Sequence, residues 1–240
     1  MDIFFELHQG LPREAPGNQE STRRAFSLLT HLPPKPSILD IGCGPGQQTI
    51  TLAQLTDSVI TAVDTHEPFL EELKRRAIAQ GVADRVKPVN SSMFSLEFEA
   101  QSFDLIWSEG AIYIIGFEQG LKTWRPLLKT GGYLVVSELS WLTPNPPSEI
   151  REFWATNYPA MNSIEDNLKL IEAAGYREIS HFVLPESAWW DDYYTPLEQR
   201  IIFLGNQYKN NAILQEQQQE IDLYRTYSHW YGYVFYLMQV

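Results

Sequence analysis

Short apolar runs with strand character alternate with segments of helical period along most of this 240-residue chain. That alternation restricts the fold more than any other feature. SILDIG (37–42), SVITAVD (58–64), RVKPVN (85–90), FDLIWSE (103–109), GYLVVSE (132–138) and REISHFVLP (177–185) read as strands. TITLAQL (49–55), EPFLEELKRRAIAQG (67–81), GFEQGLKTWRPLLKTGG (116–132) and SIEDNLKLIEAAG (163–175) read as the helices between them. Strand, helix, strand in repetition implies parallel crossovers, and a run as continuously apolar as YLVV must be covered on both faces. The expected fold class is α/β, a doubly wound, mostly parallel sheet.

Two segments stand outside the alternation. Residues 1–30 are expected to form an N-terminal lid on a core of residues 31–185. Residues 186–231 are aromatic-rich and read as an inserted helical cover, after which 232–240, within YGYVFYLMQV, return as a last strand. All of this belongs to one domain. A strand that re-enters a sheet after so long an excursion leaves the insertion over the sheet's carboxyl edge.

Charge narrows the partners. A net charge of -12 with no cluster of Lys or Arg disfavours nucleic acid and anionic membrane surfaces alike. The N-terminus, MDIFFELHQG, lacks the pattern of a signal peptide, and no stretch reaches 18 uninterrupted apolar residues, so a cytoplasmic location is expected. The lone Cys43 excludes an internal disulfide and offers no zinc-knuckle spacing, so no metal site is expected.

The turn after the first strand carries glycines at every second position, Gly42, Gly44 and Gly46. A backbone free of side chains where a strand turns into a helix lets a ligand lie against unpaired helical N–H groups. A tight turn without a ligand would also use them. The next strand ends in Asp64, where a carboxylate can accept from the two hydroxyls of a ribose, or can merely cap the following helix.

A dinucleotide fingerprint requires G-x-G-x-x-G, but Gln47 stands where the third glycine would fall. DIGCGPG, residues 40–46, instead resembles motif I of the class I S-adenosylmethionine-dependent methyltransferases. ITAVD resembles their ribose-binding strand, FDLIWSEGAIYIIG their fourth strand and loop, and LLKTGGYLVVSE their fifth strand. The likeness covers residues 36–185 and is nearest to the type 11, ubiquinone/menaquinone-like small-molecule group. It implies a Rossmann-like methyltransferase fold and S-adenosylmethionine as cofactor. It sets Asp40 near the cofactor's amino group, Gly42, Gly44 and Gly46 against its methionine and ribose portions, Asp64 on the ribose hydroxyls and Thr65 beside the adenine. In NSSMFSL, Ser92 replaces the carboxylate that family members direct at the adenine amino group, and Met93 packs on the ring.

The implied reaction transfers a methyl group to a small-molecule N or O acceptor. A sulfonium methyl is already activated, so a base is required only for a protonated acceptor. Glu109, which ends the fourth strand, is the expected catalytic residue, with Glu138 at the end of the fifth a weaker candidate. His66 reads as a contact on the cofactor side, His181 as structural, and Cys43 as a small residue among glycines. The rings of the cover, together with Glu109, Asp191 and Asp192, would suit an amine, and equally a flat aromatic acceptor. Arg13, in LPREAPGNQES, is expected to close over the cofactor. An NAD(P)-dependent oxidoreductase and a non-catalytic nucleoside-binding module are the alternatives, and the cover helices could equally form a homodimer face.

Overall fold

The structure, a computed structural model, describes residues 3–240. Met1 and Asp2, the first two residues of the expected lid, lie outside the described residues. Seven strands form one sheet: β1 (Ile38–Ile41), β2 (Ile60–Asp64), β3 (Val86–Asn90), β4 (Phe103–Glu109), β5 (Leu128–Trp141), β6 (Arg177–Val183) and β7 (Tyr231–Gln239). Their order is β3-β2-β1-β4-β5-β7-β6. The first five are parallel, and β7 runs antiparallel to both its neighbours. Chain direction across the sheet reverses between β1 and β4, and the switch point of an open α/β sheet is where a ligand crevice forms.

Among the described residues, ten α-helical segments surround the sheet. They are α1 (Ile3–His8), α2 (Gln19–Ser27), α3 (Gln47–Leu55), α4 (Glu67–Ala79), α5 (Phe117–Trp124), α6 (Ser148–Asn157), α7 (Ile164–Ala173), α8 (Ser187–Trp189), α9 (Thr195–Gly205) and α10 (Ala212–Tyr227). Alternation along β4 and β5 sends side chains to two cores. Trp107, Tyr133, Val135 and Leu139 face a core shared with α3, α4 and the cover helices. Ile106, Leu134 and Val136 face a second one, filled by Leu121 and Trp124 of α5 and Ile171 of α7.

Two boundaries differ from the sequence pattern. The helix expected over 116–132 stops at Trp124, because Pro126 has no N–H to continue it; a 3₁₀ turn, Arg125–Leu127, follows. Residues 128–132 already belong to β5, where Leu128 pairs with Phe103. β5 also runs on to Trp141, since β7 supplies an antiparallel partner for every residue from Tyr133 to Trp141. The aromatic WWDDYY segment contains a π-helical turn, Trp190–Tyr194. That wider turn carries Tyr193 and Tyr194 inward beside Trp189, so all three are buried.

Candidate active site

A cleft of about 280 Å³ opens at the carboxyl ends of β1, β2 and β4. Its floor is the glycine turn, tied to β2 by the N–H groups of Gly42 and Cys43, which donate to the Val63 carbonyl at 2.8 and 3.0 Å. The three glycines are there for different reasons. A Cβ on Gly42 would stand 2.4 Å from the Ala111 methyl, and one on Gly46 would stand 2.2 Å from Leu73 Cδ1. Those two let the turn pack against the β4 loop and α4. Gly44 meets only the Glu14 side chain, at 3.4 Å, and faces the cleft.

The Gly44 N–H donates to Asp64 Oδ2 at 2.9 Å, and the His66 N–H donates to Oδ1 at the same distance. The Asp64 carboxylate is thereby fixed at the strand end with a lone pair left on each oxygen. Thr65, Ser92 and Met93 line the same cleft. Ser92 Oγ accepts from the Phe94 N–H, and the Met93 carbonyl accepts from the Trp124 indole, so this loop is held from both sides. In the same lining, the His66 ring stacks on Phe5 with centroids 3.9 Å apart.

Asp40 is placed differently from these. It is wholly buried beneath the turn, outside the cleft lining, with Thr49 Oγ1 donating to Oδ2 at 2.5 Å. Burial pushes its carboxyl up to about 7 despite that hydrogen bond, and Oδ1 has no partner among the described residues.

The N-terminal segment forms the opposite wall, with Pro12, Arg13, Glu14, Ala15 and Pro16 lining the cleft. It is fixed from outside by Arg76, which donates to the carbonyls of Pro12 and Leu11, and by the Gly17 N–H, which donates to the Ala188 carbonyl. From inside it is fixed by Glu109. Arg13 Nη1 donates to Glu109 Oε2 at 2.7 Å, while Thr22 Oγ1 and Trp107 Nε1 donate to Oε1 at 2.7 and 2.8 Å. Arg13 is 4% exposed and Glu109 8%. Glu109 thus lines the cleft, as its strand-end position leads one to expect, with both lone pairs of Oε1 and one of Oε2 committed to three donors, so that a single acceptor position on Oε2 is left.

Asp191 is exposed, and neither it nor Asp192 joins Glu109 at the cleft. A buried carboxylate outside the cleft lining is Glu138 on β5, 1% exposed, with Tyr158 donating to its Oε1 at 2.6 Å. Thr22 and Tyr113 carry no sign in the sequence, and Tyr158 stands out there only as one of the cover's rings. An Arg followed nine residues later by a helical Thr gives no local sign that both reach a carboxylate some ninety residues away.

Residues 38–132 match the family model described as a methyltransferase domain. The span runs from β1 into β5 and includes the glycine turn, Asp64, Ser92, Met93 and Glu109. By that match, residues 38–132 form a methyltransferase domain. Among curated relatives of this methyltransferase, the uncharacterized methyltransferase YodH of Bacillus subtilis is 26% identical over 179 residues, 74% of this chain and 75% of that protein. The 27-O-demethylrifamycin SV methyltransferase of Amycolatopsis mediterranei is 28% identical over 145 residues, 58% of this chain and 53% of that longer protein. Two solved structures share the fold across its length. A methyltransferase from Geobacter sulfurreducens in complex with S-adenosyl-L-homocysteine aligns over 99% of this chain and 97% of its own, with TM-score 0.82 and 19% identity. One from Thiobacillus denitrificans, in complex with the same compound, aligns over 99% and 98%, with TM-score 0.81 and 20% identity. No helix among the described residues is long and apolar enough to cross a membrane.

Proposed function

We propose that this methyltransferase transfers a methyl group from S-adenosylmethionine, held in the cleft, to a nitrogen or oxygen of a small molecule. The observation that carries this reading is the Gly44–Asp64 hydrogen bond across the cleft floor, which leaves a fixed carboxylate with spare lone pairs beside a backbone that bears no side chain.

The residues present fit the cofactor. Asp64 would accept from the ribose hydroxyls. Thr65, the Phe5–His66 stack, Ser92 and Met93, which line the same cleft, would receive the adenine. Asp40, buried beneath the turn and outside the cleft lining, would act on the cofactor only through the glycine turn above it. When bound, the sulfonium supplies a methyl carbon already activated for displacement. The chain's task is to orient the acceptor and keep water out. Glu109 does part of this by clamping Arg13, so that residues 12–16 stay along the cleft; on this reading it is a positioning residue.

The test is calorimetric titration with S-adenosylhomocysteine, followed by transfer of tritiated methyl from S-adenosylmethionine to a panel of amines, alcohols and phenols. Saturable binding and labelling of at least one acceptor are expected. Binding without labelling of any acceptor would support a non-catalytic module.

A further inference from the structure

Resting on that reading, we propose that the acceptor is a protonated amine, received by Glu138 and the tyrosines around it in a subsite reached past Tyr113, and that Glu138 takes its proton. The inference starts from an incomplete carboxylate. Glu138 is almost wholly buried on β5, Tyr158 satisfies Oε1, and Oε2 has no hydrogen-bond partner among the described residues. A buried polar atom left in this way costs free energy until a donor completes it. No Lys or Arg contributes to the environment of this carboxyl; burial alone pushes it up to about 8, against the Tyr158 hydrogen bond.

The surroundings are aromatic. Tyr158 meets Tyr113 edge to face, with ring centroids 5.9 Å apart, and Tyr113 lines the cofactor cleft and is 45% exposed. Tyr158 therefore links the carboxylate to Tyr113, whose ring is accessible at the cleft. From β7, the Tyr233 hydroxyl comes 3.9 Å from where a Cβ on Gly110 would stand, just beyond the end of β4. The charge of Glu138 reaches the phenols of Tyr113, Tyr158, Tyr233 and Tyr236 and raises each of them, though burial raises each more; Tyr233, opposite Leu139 in the β5–β7 pairing, belongs to the other face of the sheet. Tyr236 is already engaged by Ser140 and Asn167 and serves as a fixed wall.

Carboxylate and ring faces together select a cation. An alcohol could fill Oε2 but would leave the charge unbalanced. An ammonium both donates and neutralises, and drawing the Glu138 carboxyl back down on binding makes it anionic at neutral pH. Proton transfer then breaks one N–H bond and forms an O–H bond on Glu138. The nitrogen lone pair so freed forms the C–N bond as the methyl's C–S bond breaks, its electron pair leaving on sulfur.

Tetramethylammonium carries no proton to lose, so it isolates the protein's own. In the presence of saturating S-adenosylhomocysteine at neutral pH, the wild type should bind it with a heat that differs between phosphate and Tris buffers, the mark of a released proton. Glu138→Gln should bind it at least tenfold more weakly with a heat independent of buffer. Tyr158→Phe, which removes a donor that stabilises the carboxylate, should move the pH of half-maximal release upward. Failure of tetramethylammonium to bind, equal binding and proton release by Glu138→Gln, or equally tight binding of tert-butanol would each overturn this inference while the methyl-donor reading stands. Absence of S-adenosylhomocysteine binding in the wild type would overturn both.

Discussion

A methyl group added at Gly46 would lie 2.2 Å from Leu73 Cδ1, whereas one added at Gly44 would meet only the flexible Glu14 side chain, at 3.4 Å. The two substitutions should therefore fail in different ways. Gly46→Ala is expected to overpack α3 against α4 and to lose about 1–3 kcal/mol in urea denaturation. Gly44→Ala should lose less stability but weaken S-adenosylhomocysteine at least tenfold, as calorimetry would read. If Gly46→Ala were as stable as the wild type, the packing explanation for that glycine would be wrong. Asp64→Ala should also weaken the ligand at least tenfold, about 1.4 kcal/mol. The glycines themselves were plain in the sequence, but their separate tasks were not. Leu73 and Ala111, which decide them, lie on α4 and in the β4 loop, and no local spacing reveals that they reach the turn.

At the scale of elements, the N-terminal segment is held to the sheet by a buried ion pair between Arg13 and Glu109. Removing one partner of such a pair leaves the other charge uncompensated, at about 3–5 kcal/mol. Glu109→Gln should lose stability on that order and speed amide hydrogen exchange over residues 3–16. Because residues 12–16 wall the cleft, affinity for S-adenosylhomocysteine should fall together with turnover. Unchanged affinity with turnover reduced about a hundredfold would restore Glu109 as a general base. The sequence drew attention to Arg13 and to Glu109 separately, one in a Pro-Gly turn and the other at a strand end. It could not join them, because their contact spans 96 residues and neither flanks the other in any repeating pattern. Helix α6 escaped for a different reason: Pro144, Pro146 and Pro147 mask its start, and Pro147 serves as its N-cap.

The whole molecule was the most legible level, since seven apolar runs correspond to seven strands and the two-sided burial of β5 follows from YLVV. The cover was legible only as an aromatic excess; the burial of Tyr193 and Tyr194 depends on the π-helical turn, and the placing of Tyr236 opposite Val136 depends on β7 register. Burial of Asp40 and Glu138 also gives the molecule a pH signature. Their carboxyls rise from 3.8 and 4.5 to about 7 and about 8. The folded chain thus binds more protons than the unfolded one within those windows, and stability falls as pH rises through them. The urea midpoint of the ligand-free protein should decrease from about pH 5 to about pH 8, and Glu138→Gln should flatten the upper part of that decline. The cleft itself is tested most directly by titrating the wild type and Asp64→Ala with S-adenosylhomocysteine and, separately, with NADH. Saturable binding of S-adenosylhomocysteine by the wild type, weakened at least tenfold by Asp64→Ala, with no heat from NADH, is the expected result; binding of NADH without S-adenosylhomocysteine would refute the methyl-donor assignment.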